Sequence, residues 1–151
     1  MKVKDIMVND IATCKPDSNL AVVAKLMWDR DCGVVPVTDD DGKPVGMITD
    51  RDISIAGATQ NRLLSEIPVT AVKDGNAITC SGDQDVKEAL KLMEISRVRR
   101  LPVVDDQGKL IGVLSMGDIV ASAPETGDGA MSDEIPYTAV INTLKSVYVH
   151  H

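Results

Sequence analysis

The chain is predicted to be an α+β protein made of two copies of one strand–helix–strand–strand–helix unit, followed by a C-terminal helix. A shift of 66 positions overlays residues 11–53 on residues 77–119 without a gap, and 15 of the 43 aligned positions are identical. Apolar residues make up 44% of the 151 residues and aromatic residues only 2%, so valine, isoleucine, leucine, methionine and alanine must form the core. Because one unit cannot cover both faces of its small sheet, the two copies are expected to pack sheet against sheet with pseudo-two-fold symmetry.

Each copy is expected to open with a short strand and a helix. Residues 3–8 form a lead-in with one helical turn, and residues 11–14 form the first strand. The first helix is predicted from about Asn19 to Arg30, with Asp17 or Ser18 as its N-cap. Its apolar stripe consists of Leu20, Val23, Ala24 and Met27. In the second copy Asp83 is the expected cap, and the stripe consists of Val86, Ala89, Leu90 and Met93.

A β-hairpin follows in each copy, and a helix follows each hairpin. The first hairpin is predicted to pair residues 34–38 with residues 44–49 through the turn Asp39-Asp40-Asp41-Gly42-Lys43. The second pairs residues 101–104 with residues 110–115 through a matching turn. Three aspartates in a tight turn diverge, so the first turn is interpreted as solvated turn chemistry and not as a metal site.

The domain boundaries follow from the repeat and from a change in composition near its end. Repeat 1 is placed at residues 1–60, repeat 2 at 61–122, a loose linker rich in glycine, proline and acid at 123–135, and an amphipathic helix at 136–151. Pro136 opens this helix, whose expected apolar face consists of Tyr137, Val140, Ile141, Leu144 and Tyr148. A polar linker before an apolar helix predicts docking, either on its own domain or on a partner chain.

Charge and cysteine content exclude several classes of protein. The net charge is −7 and the only local basic cluster is Arg97, Arg99 and Arg100, which argues against binding to nucleic acid or to an anionic membrane. No apolar run approaches about 18 residues and no signal-peptide pattern is present, so a cytoplasmic protein is expected. Three cysteines make neither a disulfide framework nor a zinc site; Cys14 and Cys80, at matching positions, are interpreted as small buried side chains at strand ends.

One motif occurs in both copies, at the point where a strand turns into a helix. It is Gly46–Asp52 in the first copy and Gly112–Asp118 in the second, with a hydroxyl three residues after the glycine and a carboxylate three residues after the hydroxyl. At a helix N-terminus this spacing directs both side chains and several free N–H groups at one small volume, which suits a sugar and an adjoining phosphate. Helix capping alone also explains Thr49, whereas Asp52 lies too far into the helix to be the cap itself, which favours a ligand role.

The residues needed for catalysis are not found. The only histidines are the last two residues, so a serine or cysteine nucleophile has no internal base. Neither a Walker-type glycine loop nor a dinucleotide fingerprint is present. The chain is therefore not expected to be an enzyme.

With these landmarks the sequence resembles a tandem pair of cystathionine-β-synthase (CBS) domains, also called a Bateman module. The resemblance covers roughly residues 3–122 and is carried by the two Pro-Val strands, the Asp-Asp turns and the Gly-x-Ile-Thr-x-x-Asp motif. Thr49–Ile53 and Val98–Val103 are similar to the small stand-alone, dimeric forms. The resemblance implies a homodimer formed through exposed helices.

In this family such pairs bind adenine nucleotides in clefts between the repeats. The implied contacts of the first cleft are Thr13, Val34, Val35, Pro36, Thr49 and Asp52, with Arg51 beside them. Those of the second are Thr79, Leu101, Pro102, Ser115 and Asp118, with Arg99 or Arg100 supplying charge to a phosphate. The copies differ, because Gly117 stands opposite Arg51 and Met116 opposite Asp50; the first motif is the favoured site. The charge of Asp50 weighs against a polyphosphate.

Two functions therefore stand as hypotheses. The first is a regulatory module without catalytic activity that senses AMP, ADP, ATP or S-adenosylmethionine, requires no cofactor or metal, and acts on a regulated protein that the sequence does not name. The second is a ligand-free protein–protein interaction module that acts through its dimer surface and its C-terminal helix. Neither hypothesis includes nucleic acid or a membrane as a partner.

Overall fold

The computed structural model describes residues 1–73, 75–123 and 135–149. These residues form two compact units. The first-repeat unit contains residues 10–77 and 108–110, and the second-repeat unit contains residues 1–9, 78–107 and the described residues from 111 onward. Within the described part of the chain, no helix is long and apolar enough to cross a membrane.

The first-repeat unit is built on one antiparallel hairpin and two helices. Its elements are α1 (Leu20–Arg30), β1 (Val34–Thr38), β2 (Pro44–Thr49) and α2 (Asp50–Thr59), followed by 3₁₀ turns at Leu64–Glu66 and Val69–Ala71. The first strand predicted for this copy is wrong: residues 11–13 are not in a strand, and Cys14 alone forms a parallel bridge to Val37. The core consists of apolar side chains from all these elements, among them Leu20, Val23, Val35, Ile48, Ile53 and Ile67.

The second-repeat unit carries the same helix, hairpin and helix, with a short strand before them and one more helix after them. They are β3 (Cys80–Ser81), α3 (Val86–Ser96), β4 (Arg100–Val104), β5 (Leu110–Ser115), α4 (Met116–Ala121) and α5 (Tyr137–Tyr148). The strand order is β3-β4-β5, and β3 pairs with β4 in parallel through Cys80 and Val103. The predicted hairpins, the helices after them and the C-terminal helix are thus confirmed.

The hairpin turns form because an aspartate and a glycine supply what a tight turn requires. In the first turn Asp39 Oδ1 accepts hydrogen bonds from Asp41 N at 3.0 Å and Lys43 N at 2.9 Å. Gly42 has φ +78° and Gly108, at the matching position, has φ +77°, a conformation that favours glycine. The carboxylate of Asp39 therefore stabilises the turn by accepting from its amides, which confirms the predicted turn chemistry.

Two predicted helix caps are wrong by one or two residues. Asn19, and neither Asp17 nor Ser18, caps α1 by accepting a hydrogen bond from Val22 N at 3.0 Å. Asp85 caps α3 by accepting from Lys87 N at 2.9 Å, whereas Asp83 pairs with Lys4 Nζ at 2.6 Å. Several cap-forming residues stand side by side at both helix starts, and the extended backbone of the last one decides which side chain reaches the free amides.

The N-terminal residues pack with the second repeat and not with the first. Val3 is fully buried in the core of the second-repeat unit and its N–H donates to Gln84 O at 3.0 Å. Val8 and Val113 exchange two backbone hydrogen bonds of 3.0 and 2.9 Å. The predicted helical turn at residues 4–7 is a 3₁₀ turn at Val3–Asp5. The compact units therefore differ from the division at residue 60, because residues 1–9 belong to the second unit and residues 61–77 to the first.

Helix α5 packs against α3 in the same chain, with a face that includes only part of the predicted one. Val140 and Leu144 pack in the core, as predicted, and Thr143 is buried beside them. The predicted Tyr137, Ile141 and Tyr148 are instead 53%, 47% and 51% exposed. The Thr143 hydroxyl donates to Leu90 O at 3.3 Å on α3. The predicted linker lies outside the described residues except at its two ends, and Ile135 at the second end is buried in this core.

Candidate functional site

The repeated motif folds into the same capped turn in both units. In the first-repeat unit Thr49 is the N-cap of α2, and its hydroxyl accepts from Asp52 N at 3.2 Å. Asp52 Oδ2 accepts in return from Thr49 N and from the Thr49 hydroxyl, both at 2.8 Å. This arrangement is a capping box, which requires a carboxylate at the third helical position. Capping therefore explains why an aspartate stands at position 52. The prediction that its place in the helix favours a ligand role is wrong, because a capping box uses that place.

The second-repeat unit repeats this geometry closely. Ser115 caps α4 and accepts from Asp118 N at 3.2 Å. Asp118 Oδ2 accepts from Ser115 N at 2.7 Å and from the Ser115 hydroxyl at 2.6 Å. The two motifs thus share one hydrogen-bonding scheme, despite the exchange of threonine for serine.

The amides at the start of α2 are not free, contrary to the sequence-based expectation. Asp50 N donates to Gly33 O at 3.1 Å, and Arg51 N donates to Asp50 Oδ1 at 2.8 Å. Together with the capping box, these bonds give every amide from residue 49 to residue 52 an acceptor. At the start of α4, Met116 N donates to Arg99 O at 3.0 Å, while no acceptor among the described residues serves Gly117 N. Only the second motif therefore presents a free amide to an anion.

Each motif does present one unused carboxylate oxygen. Every hydrogen bond recorded for Asp52 and Asp118 uses Oδ2, so among the described residues Oδ1 has no donor in either case. Both side chains are half-buried. An oxygen held in this way is a charged acceptor, which suits the hydroxyl groups of a sugar.

Lys73 is a site residue that the sequence-based reasoning missed. Its ammonium lies 3.1 Å from Asp52 Oδ2, and the two side chains are 34% and 21% exposed. Lys73 follows the 3₁₀ turn at Val69–Ala71 and lies in the stretch 61–77, which the sequence placed in repeat 2 and which packs in the first-repeat unit. Nothing in the repeat pattern points to it, because position 73 lies outside the overlaid residues 11–53 and 77–119.

The other residues predicted for the first cleft lie around the same hairpin. Val34 pairs directly with Thr49 across β1 and β2. Thr13 is exposed and precedes Cys14, whose N–H donates to Pro36 O at 3.0 Å. Val35 is fully buried in the core and presents no accessible surface to a ligand. Pro36 is also buried, and Arg51 is exposed at the start of α2.

The residues predicted for the second cleft lie on matching elements. Thr79 precedes β3, and Pro102 lies on β4 in a buried position. Leu101 is fully buried in the core and presents no accessible surface to a ligand. Arg100 is half-buried. Arg99 is exposed and its guanidinium donates to the Tyr148 hydroxyl at 3.1 Å, which directs this charge to α5.

The described residues offer no metal site and no disulfide. No group of three or more histidine, cysteine, aspartate or glutamate side chains in that part of the chain could hold a metal ion. Cys14 and Cys80 are buried and unpaired, as the repeat predicted. Burial raises the pKa of each of these thiols to about 11, because a thiolate would lose its hydration.

Solved structures of similar fold include two that contain adenosine compounds. CBSX2, a CBS-pair protein of Arabidopsis thaliana, was solved in complex with AMP; it shares 27% identity at a TM-score of 0.68, covering 80% of this chain and 94% of that one. The CBS domain pair of protein MJ0100 was solved with 5′-methylthioadenosine and S-adenosyl-L-methionine, at 29% identity, a TM-score of 0.68 and the same coverage.

Sequence relatives are of two lengths. An uncharacterised protein of Methanopyrus kandleri is 34% identical over 82% of this chain, which spans only 63% of that protein. The CBS domain-containing protein YhcV of Bacillus subtilis is 32% identical over 93% of both chains. A family model of the CBS domain matches residues 3–58 and 64–125. The chain therefore belongs to the CBS domain family and carries two CBS repeats in tandem.

Proposed function

We propose that this protein is a regulatory module without catalytic activity that binds an adenosine-containing ligand at its two capped turns. The observation that carries the proposal is the unused Oδ1 oxygen of Asp52 and of Asp118. In each motif the capping box fixes the carboxylate through Oδ2, so the second oxygen is oriented before a ligand arrives. Two ribose hydroxyls are donors of the right kind for such an acceptor.

The surroundings of the two motifs favour different ligand groups. Next to the first motif, Lys73 and the exposed Arg51 supply positive charge, while Asp50 opposes it. In the second, the Gly117 amide is open to an anion among the described residues, but it is a neutral donor, and Arg99 is bonded to Tyr148. Because charged side chains attract a phosphate more strongly than one neutral amide does, we expect the first site to prefer a ligand with a single phosphate, such as AMP. We expect the second to accept one with less negative charge, such as S-adenosylmethionine. The AMP complex of CBSX2 and the adenosine compounds bound to MJ0100 support this class of ligand.

Isothermal titration of AMP, ATP and S-adenosylmethionine into the full chain tests the proposal. Asp52→Asn and Asp118→Asn keep the size of each side chain and remove its charge. We expect each to weaken one binding event by about tenfold or more, since a hydrogen bond to a charged group contributes about 1.5–3 kcal/mol. Asp40→Asn, in the exposed turn after β1, is the matched control and should leave binding unchanged. Absence of heat with all three ligands would overturn the proposal.

A homodimer, implied by the family resemblance, and a cytoplasmic location, expected from the lack of a signal-peptide pattern, stay predictions. Sedimentation of the purified chain tests the first. The alternative is a ligand-free interaction protein that uses its C-terminal helix. It loses part of its basis, because Val140 of α5 is buried and Thr143 is bonded to α3, and it keeps the exposed Tyr137, Ile141 and Tyr148 as a contact surface.

A further inference from the structure

Each repeat is bordered by a lead-in segment that comes from before the other repeat. The lead-in segment of the first-repeat unit is residues 67–73, and that of the second-repeat unit is residues 1–7. Each contains a 3₁₀ turn, at Val69–Ala71 and at Val3–Asp5. The shift of 66 positions that relates the repeats also aligns these two segments, although only one aligned pair, a valine, is identical. Their equivalence therefore has to be judged from their contacts.

The backbone hydrogen bonds of the two lead-in segments match pair by pair. Four bonds of the first-repeat unit each have a counterpart 66 residues away: Val69 N to Ser18 O, Thr70 N to Pro16 O, Leu20 N to Ile67 O and Lys73 N to Val69 O. The counterparts are Val3 N to Gln84 O, Lys4 N to Gly82 O, Val86 N to Met1 O and Met7 N to Val3 O. All these distances lie between 2.9 and 3.1 Å. Lys73 and Met7 therefore occupy the same place in their two units.

That place adjoins the repeated motif in both units. Lys73 Nζ lies 3.1 Å from Asp52 Oδ2 in the first motif. The sulfur of Met7 lies against Gly112, the first residue of the second motif, where a Cβ atom would stand 2.7 Å from it. Met7 also packs against the core of the second-repeat unit. One place thus carries an ammonium group beside the first motif and an uncharged thioether beside the second.

This exchange changes the charge balance of the two motifs. In the first, the ammonium of Lys73 compensates the carboxylate of Asp52. In the second, no cation among the described residues forms an ion pair with Asp118. The nearby arginines do not replace it: the guanidinium of Arg99 donates to α5, and Arg100 forms no ion pair with this aspartate. A phosphate beside the second motif would therefore meet like charge, whereas beside the first it can share the lysine.

We propose that the last residue of the lead-in segment, Lys73 in one unit and Met7 in the other, selects the ligand of each motif by the charge of the group attached to its ribose. Lys73 favours an adenosine ligand that carries a phosphate. Met7 favours one in which that group is uncharged or positively charged, because a thioether packs on apolar and polarisable groups and offers nothing to an anion. This inference rests on the proposed adenosine sites and adds the residue that decides between their ligands.

The test compares AMP with adenosine, which differ only in the phosphate, by isothermal titration of the full chain. Lys73→Met is examined in the presence of Asp118→Asn, which weakens the second site so that the first dominates the titration. Lys73→Arg, in the same background, keeps the charge. Lys25→Met is the matched control, because Lys25 also pairs with an aspartate, Asp29, but on the exposed side of α1.

We expect Lys73→Met to weaken AMP binding by about tenfold and to change adenosine binding by less than about twofold, because only AMP offers a charged partner to the ammonium. The preference of the unchanged first site for AMP should shrink at high salt. Lys73→Arg and Lys25→Met should both retain it.

The reciprocal change is Met7→Lys, made together with Asp52→Asn so that the second site dominates. The aliphatic part of a lysine can replace the methionine on the core while its ammonium reaches solvent. We expect the ratio of AMP affinity to adenosine affinity at this site to rise by about fivefold.

The outcomes separate this inference from the proposed function on which it rests. If Lys73→Met and Lys25→Met gave the same ratio of AMP to adenosine affinity, Lys73 would not select the ligand and the inference would be overturned, while the adenosine site would stand. An equal loss of both ligands in Lys73→Met would also overturn it, since the lysine would then only support the fold. If the wild type bound neither ligand, the proposed function would fail, and the inference with it.

Discussion

In the second-repeat unit α5 lies on α3, whereas in the first-repeat unit the equivalent face of α1 borders an open groove. The capping boxes of the two units contain the same hydrogen bonds, and the glycines of the two hairpin turns have nearly the same φ. The copies therefore conserve the parts that build the strand-to-helix turn and differ in the parts that face outward. This difference indicates that the chain uses one scaffold for two surfaces, of which one is occupied by its own C-terminal helix.

The largest expected contrast concerns the methionines under these two faces. Met93 is fully buried beneath α5, so Met93→Ala should lower the free energy of unfolding by about 2–5 kcal/mol, as is usual for a cavity in a closed core. Met27 is 6% exposed at the floor of the groove, and water can enter the space that Met27→Ala leaves. We expect Met27→Ala to lower the free energy of unfolding by roughly half as much as Met93→Ala does. Urea unfolding of both variants measures the contrast, and equal losses would show that the groove is closed in solution.

A smaller effect is expected from removing either cap. Thr49→Ala and Ser115→Ala should each lower stability by about 1 kcal/mol, because each leaves amides of one helix start without an acceptor. Thr70→Ala, at an exposed threonine in a 3₁₀ turn, is the control and should be nearly neutral. If one cap cost several times more than the other, the two turns would not be equivalent in solution despite their shared geometry.

A further effect, seen only at alkaline pH, concerns the two buried thiols, at which the repeats should behave alike. The pKa of Cys14 and of Cys80 is about 11 in the folded chain and 9.0 when exposed. A group whose pKa is raised by folding contributes its full stabilisation at a pH below its pKa in the unfolded chain. This contribution is lost as the pH rises from about 9 towards 11. The wild type should therefore lose more stability than the Cys14→Ala and Cys80→Ala variants over this range. Chemical unfolding at several pH values measures this difference. If the free energy of unfolding of the wild type and of the two variants changed equally with pH, the assignment of these thiols to the core would be wrong.

The sequence was sufficient for features that depend on neighbouring residues. The turn at Asp39 and Gly42 and the strands on either side were predicted because turn chemistry is local. The caps at Asn19 and Asp85 were missed by one or two positions, since adjacent residues had equal propensity and the backbone angles made the choice. The buried face of α5 was shifted for a similar reason, because apolar residues occur on more than one side of the helix.

Features that join distant parts of the chain could not be predicted in this way. The pairing of Lys73 with Asp52 depends on where a connecting segment returns to the sheet. The unused oxygens of Asp52 and Asp118 became apparent only from the hydrogen bonds around them. The groove lined by Met27, Trp28 and Ile53 is an intermediate case. The positions that line it can be identified from the repeat, whereas only the fold shows that no helix among the described residues covers it.

The placement of residues 1–9 has a consequence for the order in which the two repeats fold. Val3 and Val8 are synthesised before the first repeat, yet their hydrogen-bond partners, Gln84 and Val113, are synthesised only after it. The first-repeat unit therefore has nearly all its residues before residues 1–9 have a surface to bind. The second-repeat unit is completed only when a segment from before the first repeat returns across it.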